Sequence, residues 1–121
     1  MLKIKNKNIY LNRGDAVNIQ VACNNATFEK NDYIKFYIME QNKAQNVLFE
    51  KKFTVEADSN TVDIVLTSDE TKTICPAFDT GYKTFWYEIE YNGSITLMGY
   101  DDNGAKLLVI YPEAISKGGN A

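Results

Sequence analysis

The sequence predicts an all-β fold, a single antiparallel β-sandwich of immunoglobulin-like order with about one short helix. Three observations predict it. Apolar residues recur at every second position along most of the chain, Asn, Asp and Gly turns separate these runs about every eight to twelve residues, and only one helix-start signature occurs.

The elements follow in chain order. Val17, Ile19, Val21 and Cys23 alternate with Asn18, Gln20 and Ala22, the period of a half-buried strand. Ile34, Phe36 and Ile38 alternate with Lys35 and Tyr37, residues 47–55 form a strand of imperfect alternation, and Val62, Ile64 and Leu66 alternate with Asp63 and Val65. Thr67-Ser68-Asp69-Glu70 matches a capping box and starts the short helix, where Asp69 and Glu70 complement the positive end of the helix dipole. Phe85, Tyr87, Ile89 and Tyr91 alternate with Trp86, Glu88 and Glu90. Asn92-Gly93 then marks a type I′ turn into residues 95–98, and Asp101-Asp102-Asn103-Gly104 marks a second turn into residues 105–111. These runs predict a three-stranded meander over 82–111, stopped by Pro112, which has no N–H for a ladder. About seven or eight strands are expected. The antibody order of Cys, Trp, Cys is absent, because Trp86 follows both cysteines.

Length and composition bound the function. A chain of 121 residues with 45% hydrophobic content is expected to form one domain over 1–113, with 114–121 a disordered tail for want of apolar anchors. The net charge of −3 opposes a nucleic-acid partner. The absence of histidine removes His-based triads, His general bases and imidazole metal sites. Cys23 and Cys75 have neither CxxC spacing nor a histidine partner, so both are expected as buried free thiols, and no cofactor or metal is expected. Apolar runs fall far short of the ~20 residues of a membrane helix, and the N-terminus lacks the apolar region of a signal peptide, so neither membrane insertion nor signal-directed export is expected.

Candidate chemistry reduces to a few residues. Glu88 and Glu90 share a strand face about 7 Å apart, but neighbours on an exposed strand solvate it rather than divide acid and base roles across a cleft. Asp101-Asp102-Asn103 does not keep the ligand order of a calcium loop. Arg13 is the sole arginine beside twelve lysines, within Asn12-Arg13-Gly14-Asp15. These four residues predict a tight turn in which Gly14 takes positive φ, Asn12 or Asp15 bonds backbone amides, and Arg13 clamps a carboxylate or carbonyl of the neighbouring sheet. If the strands around residues 33–37 and 82–91 are neighbours, Tyr33, Tyr37, Tyr82, Trp86 and Glu88 gather on an outer sheet surface that suits a protein partner or a sugar ring.

Several segments also carry a family resemblance. Ile9-Tyr10-Leu11-Asn12-Arg13-Gly14-Asp15 opens the pattern, and Val62-Asp63-Ile64-Val65-Leu66-Thr67-Ser68-Asp69-Glu70-Thr71-Lys72 follows. Phe85-Trp86-Tyr87-Glu88-Ile89-Glu90, Gly99-Tyr100-Asp101-Asp102-Asn103-Gly104-Ala105-Lys106 and Tyr111-Pro112-Glu113 complete it. In order and spacing the chain resembles small tail-module proteins of phages and prophages of Gram-positive bacteria, which are similar to the N-terminal domain of the phage upper baseplate protein. The resemblance implies a β-sandwich adaptor that works by protein–protein contact in a virion tail or baseplate, not by turnover, and it carries no catalytic residue to transfer. It implies other tail or baseplate proteins as partners, with a homo-oligomer compatible, and a location in the virion or in the bacterial cytoplasm during assembly. The alternative expectation is a carbohydrate-binding module for cell-wall or host glycans.

Overall fold

A computed structural model describes residues 2–22, 26–41 and 45–113; Cys23 and the 114–121 tail lie outside the described residues. The strands are β1 (Leu2–Lys5), β2 (Asn8–Asn12), β3 (Val17–Ala22), β4 (Tyr33–Glu40), β5 (Val47–Thr54) and β6 (Thr61–Leu66). Helix α1 (Ser68–Ile74) follows, then β7 (Lys83–Tyr91), β8 (Ile95–Met98) and β9 (Lys106–Tyr111).

The large sheet runs β1-β2-β9-β7-β4-β5, with β8 also paired to β7, and a two-stranded sheet, β3-β6, packs against it. The fold is therefore all-β with one short helix. Pairing is antiparallel throughout except between β2 and β9, which are parallel, Ile9 opposite Leu108 and Leu11 opposite Ile110.

Alternation builds the core. Ile9 and Leu11, Ile34, Phe36 and Ile38, Tyr87 and Ile89, and Leu108 and Ile110 point inward from the large sheet. They meet Val17, Ile19, Val62, Ile64 and Leu66 of the small sheet, and Ile74 and Cys75 close one end. The capping box forms in full: the Glu70 amide donates to Thr67 Oγ1 at 3.1 Å and the Thr67 amide to Glu70 Oε1 at 2.8 Å.

Two features differ from the expectation. The hairpin β1–β2 brings the number of strands among the described residues to nine; its turn, Asn6-Lys7, lacks glycine yet takes φ of 52° and 67°, so the usual turn signal is missing from the sequence. The meander over 82–111 is also corrected. Both β8 and β9 lie on the same edge of β7, β8 against Ile89–Tyr91 and β9 against Lys83–Tyr87. Asp101 and Gly104 pair with each other through two backbone bonds of 3.2 and 2.8 Å, and Asp101 Oδ1 accepts the Asn103 amide at 2.8 Å. The turn is thus a closed protrusion, and the chain leaves it in its original direction. Lys106 fixes the protrusion by donating to Asp101 Oδ1 at 2.7 Å, which, with the Asn103 amide, holds the Asp101 carboxyl below the usual range.

Candidate functional site

The turn after β2 is a structural node. Gly14 sits at φ +85°. Its amide donates to Thr71 Oγ1 at 3.0 Å, while that fully buried hydroxyl lies 3.0 Å from both the Asp15 and the Ser68 carbonyl oxygens. Arg13 Nε donates to the Cys75 carbonyl at 2.6 Å and its terminal nitrogen to Glu113 Oε1 at 2.6 Å. The guanidinium therefore clamps one carbonyl and one carboxylate, a pairing that needs its fork geometry. Its partners, which include the Lys72 carbonyl of α1 at 3.5 Å, belong to the end of α1, the segment after it and the segment after β9 rather than to the strands of a neighbouring sheet. Asn12 also differs from expectation: its side-chain amide donates to the Pro112 carbonyl at 3.0 Å instead of accepting from a backbone amide, so it fastens the end of β9. Asp15 contributes its backbone, donating to the Asn12 carbonyl at 3.1 Å to close the turn.

The second place is the outer face of the large sheet. Strands β4 and β7 are direct neighbours, with Tyr37 opposite Glu88, Lys35 opposite Glu90 and Met39 opposite Trp86. On its other side Trp86 is opposite Leu107 of β9, and the Tyr100 ring meets it edge-on at 5.9 Å between centroids. Met39 and Val109 are each only 6% exposed although neither belongs to the core cluster.

Tyr33, Tyr37, Tyr82, Trp86 and Glu88 do share this face, but they do not form one aromatic patch. Tyr33 lies under the Lys52 ammonium, 4.3 Å from the ring centroid, at one corner. Tyr82 packs against Tyr111 at 6.2 Å at the other end, where Tyr10 and Tyr111 line a cleft of about 410 Å³ with Lys3 and Lys5. Four strand positions separate Tyr82 from Trp86, about 13 Å, so the centre is the Met39–Trp86–Leu107 band and the tyrosines flank it. Burial and the charges of Glu90, Glu50 and Glu88, with a hydrogen bond to Glu90, push the Tyr37 hydroxyl above its ordinary pKa and mark a local concentration of carboxylates.

Sequence reasoning missed Met39, Leu107, Val109, Tyr10, Tyr100 and Tyr111. One signal was available. Leu107-Leu108-Val109-Ile110-Tyr111 is apolar at every position, the mark of a strand covered on both faces. Glu88 and Glu90 lie on this open sheet face, and Glu88 Oε1 accepts from Thr96 Oγ1 at 3.1 Å. Burial pushes the Cys75 thiol up, which disfavours the nucleophilic thiolate. Among the described residues no group of three or more Cys, Asp and Glu side chains is placed to hold a metal ion. Among the described residues no helix is long and apolar enough to cross a membrane. Comparison with protein-family models, with curated proteins and with solved structures returned no match.

Proposed function

We propose that this protein is a non-enzymatic docking module that joins a protein partner through the outer face of its large sheet. On the resemblance described above, the assembly is a phage or prophage tail or baseplate. The observation that carries the reading is half-buried Trp86 beside half-buried Leu107, extended by the 73%-exposed ring of Tyr100, with Met39 on the other side of Trp86 itself buried. Trp, Tyr and Met are the side chains enriched at interface cores, where large area is presented at little cost in conformational freedom. Trp86→Ala removes the centre of this band without entering the core between the sheets. Affinity for the tail or baseplate partner is expected to fall about thirtyfold, the size of a ~2 kcal/mol hot spot, with the fold retained by circular dichroism. Undiminished binding after the substitution would contradict the reading. Proteomics of purified particles separates a resident tail component, which is present, from an assembly factor, which is not.

A glycan-binding reading is favoured by one observation, the cleft of about 410 Å³ between Tyr10, Tyr111, Lys3 and Lys5, whose aromatic faces and ammonium groups suit a sugar ring with polar substituents. Glycan-array binding that disappears in Tyr10→Ala, together with undiminished protein binding in Trp86→Ala, selects it.

A further inference from the structure

Two lysines of one cleft are left without a counter-charge. Lys35, Lys51 and Lys106 each stand within 4 Å of a carboxylate, and Lys52 and Lys83 lie over the rings of Tyr33 and Phe78. Lys3 and Lys5 have no carboxylate that close among the described residues, and both line the cleft of about 410 Å³ with Tyr10 and Tyr111. They are exposed on the edge strand β1, on one side of it and about 7 Å apart, and Lys3 is directly opposite Tyr10. The aromatic wall they face is held from several directions. Tyr10 stands on β2, which is paired to β1 on one side and β9 on the other. The Tyr111 carbonyl accepts the Arg13 amide at 2.9 Å, and the Tyr82 ring backs the Tyr111 ring at 6.2 Å between centroids.

We infer that the ligand of this cleft is an anionic saccharide, a pyranose bearing a carboxylate or a phosphate ester, with the sugar ring against Tyr10 and Tyr111 and the anion between the Lys3 and Lys5 ammonium groups. The inference rests on the glycan-binding reading above and names the class of glycan. Charge complementarity selects the anion. Among the described residues no acidic side chain lines the cleft, so two ammonium groups face it with nothing to neutralise them, and a neutral sugar would leave them so. The tyrosines select the ring. Free phosphate or an acidic peptide side chain answers the lysines but offers no flat face to the aromatic wall, whereas a pyranose lays its C–H face on an aromatic ring. Size agrees with a short saccharide, the volume lying at the small end of the ~300–1,000 Å³ of small-molecule sites. Nucleic acid fits less well, because its charge recurs at every residue and a chain of net charge −3 repels it beyond the cleft.

The test is a glycan array of neutral, uronate and phosphorylated members probed with the full chain, followed by NMR titration with trigalacturonate and with α-1,4-galactotriose, which differ only at C6. Array binding is expected on acidic members. In the titration trigalacturonate is expected to bind about tenfold more tightly than the neutral trimer, less so at high salt, with amide shifts centred on Lys3, Tyr10 and Tyr111. Lys3→Gln/Lys5→Gln is expected to bring both trimers to the same affinity, and Tyr10→Ala to weaken both. Should Tyr10→Ala unfold the protein, Tyr10→Leu removes the ring and keeps apolar bulk. Binding confined to uronate or to phosphorylated members names the anion, and in the second case galactose 6-phosphate against galactose replaces the trimers. Neutral and acidic members bound alike, with Lys3→Gln/Lys5→Gln without effect, overturn the choice of an anionic sugar and leave the glycan reading standing. Inorganic phosphate, hexaglutamate or AMP binding as tightly as the acidic sugar overturns it as well. An array with no binding that depends on Tyr10 removes the glycan reading and the inference together, while docking through Trp86 is decided by its own variant.

Discussion

Replacing Arg13 with alanine is expected to cost about 2–3 kcal/mol and to lower Tm by about 10 °C, an effect far above that of an ordinary surface charge. Arg13 and Glu113 side chains are 16% and 12% exposed, so their 2.6 Å ion pair is shielded from water and its loss is not recovered by solvation. The same guanidinium holds the Cys75 carbonyl, which ties the end of α1 and the segment after β9 to the turn that begins the first crossing between sheets. Arg13→Lys keeps the charge but presents no fork, and about half of the loss is expected. Gly14→Ala reaches the node from the backbone side. A Cβ there would stand 2.9 Å from Glu113 Oε2 at a φ of +85°, so the Glu113 carboxylate must shift and the residue is strained besides. Thermal melts of the three variants check the assignment; Arg13→Lys indistinguishable from wild type would remove the clamp.

Stability is expected to fall in alkali because of Tyr87. Its hydroxyl is buried, donates to the Lys7 carbonyl at 2.5 Å and lies 2.9 Å from Met98 Sδ, and burial pushes its pKa up to about 12. The unfolded chain ionises this phenol near pH 10, so between pH 10 and about 12 the unfolded state binds fewer protons than the folded state. The stabilisation is complete below pH 10 and declines above it, with a slope approaching ~1.4 kcal/mol per pH unit. Tyr87→Phe lacks this titration. It is expected to be about 1 kcal/mol less stable than wild type at pH 9, having lost the bond to Lys7, and the difference should shrink as the pH rises through 11. Urea titrations of both proteins measure it, and a difference that stays constant with pH would place the Tyr87 hydroxyl in contact with water.

Much of the fold is legible in the sequence because the small sheet and strands β4 and β7 follow strict alternation. Val62, Ile64 and Leu66 are buried as their period requires, and Thr67 and Glu70 satisfy each other as a capping box should. Strand β1 was not legible. Four residues with all side chains exposed form a strand only through pairing with β2, a tertiary condition that local propensity does not carry. The parallel contact between β2 and β9 joins residues about a hundred positions apart, so neither segment announces it. The outer face of the large sheet was half legible. Alternation placed Tyr33, Tyr37, Trp86 and Glu88 on one side, but register decided that Met39 and Leu107, rather than other tyrosines, flank Trp86.

Trp86 is the one tryptophan in the chain and stands at the centre of the face, so its fluorescence reports on that face alone. Acrylamide quenching, measured without and then with a tail or baseplate partner present, is expected to fall as the complex forms, with emission moving to shorter wavelength as water leaves the indole. A complex that forms with Trp86 as open to quencher as in the free chain would contradict docking through the outer face of the large sheet.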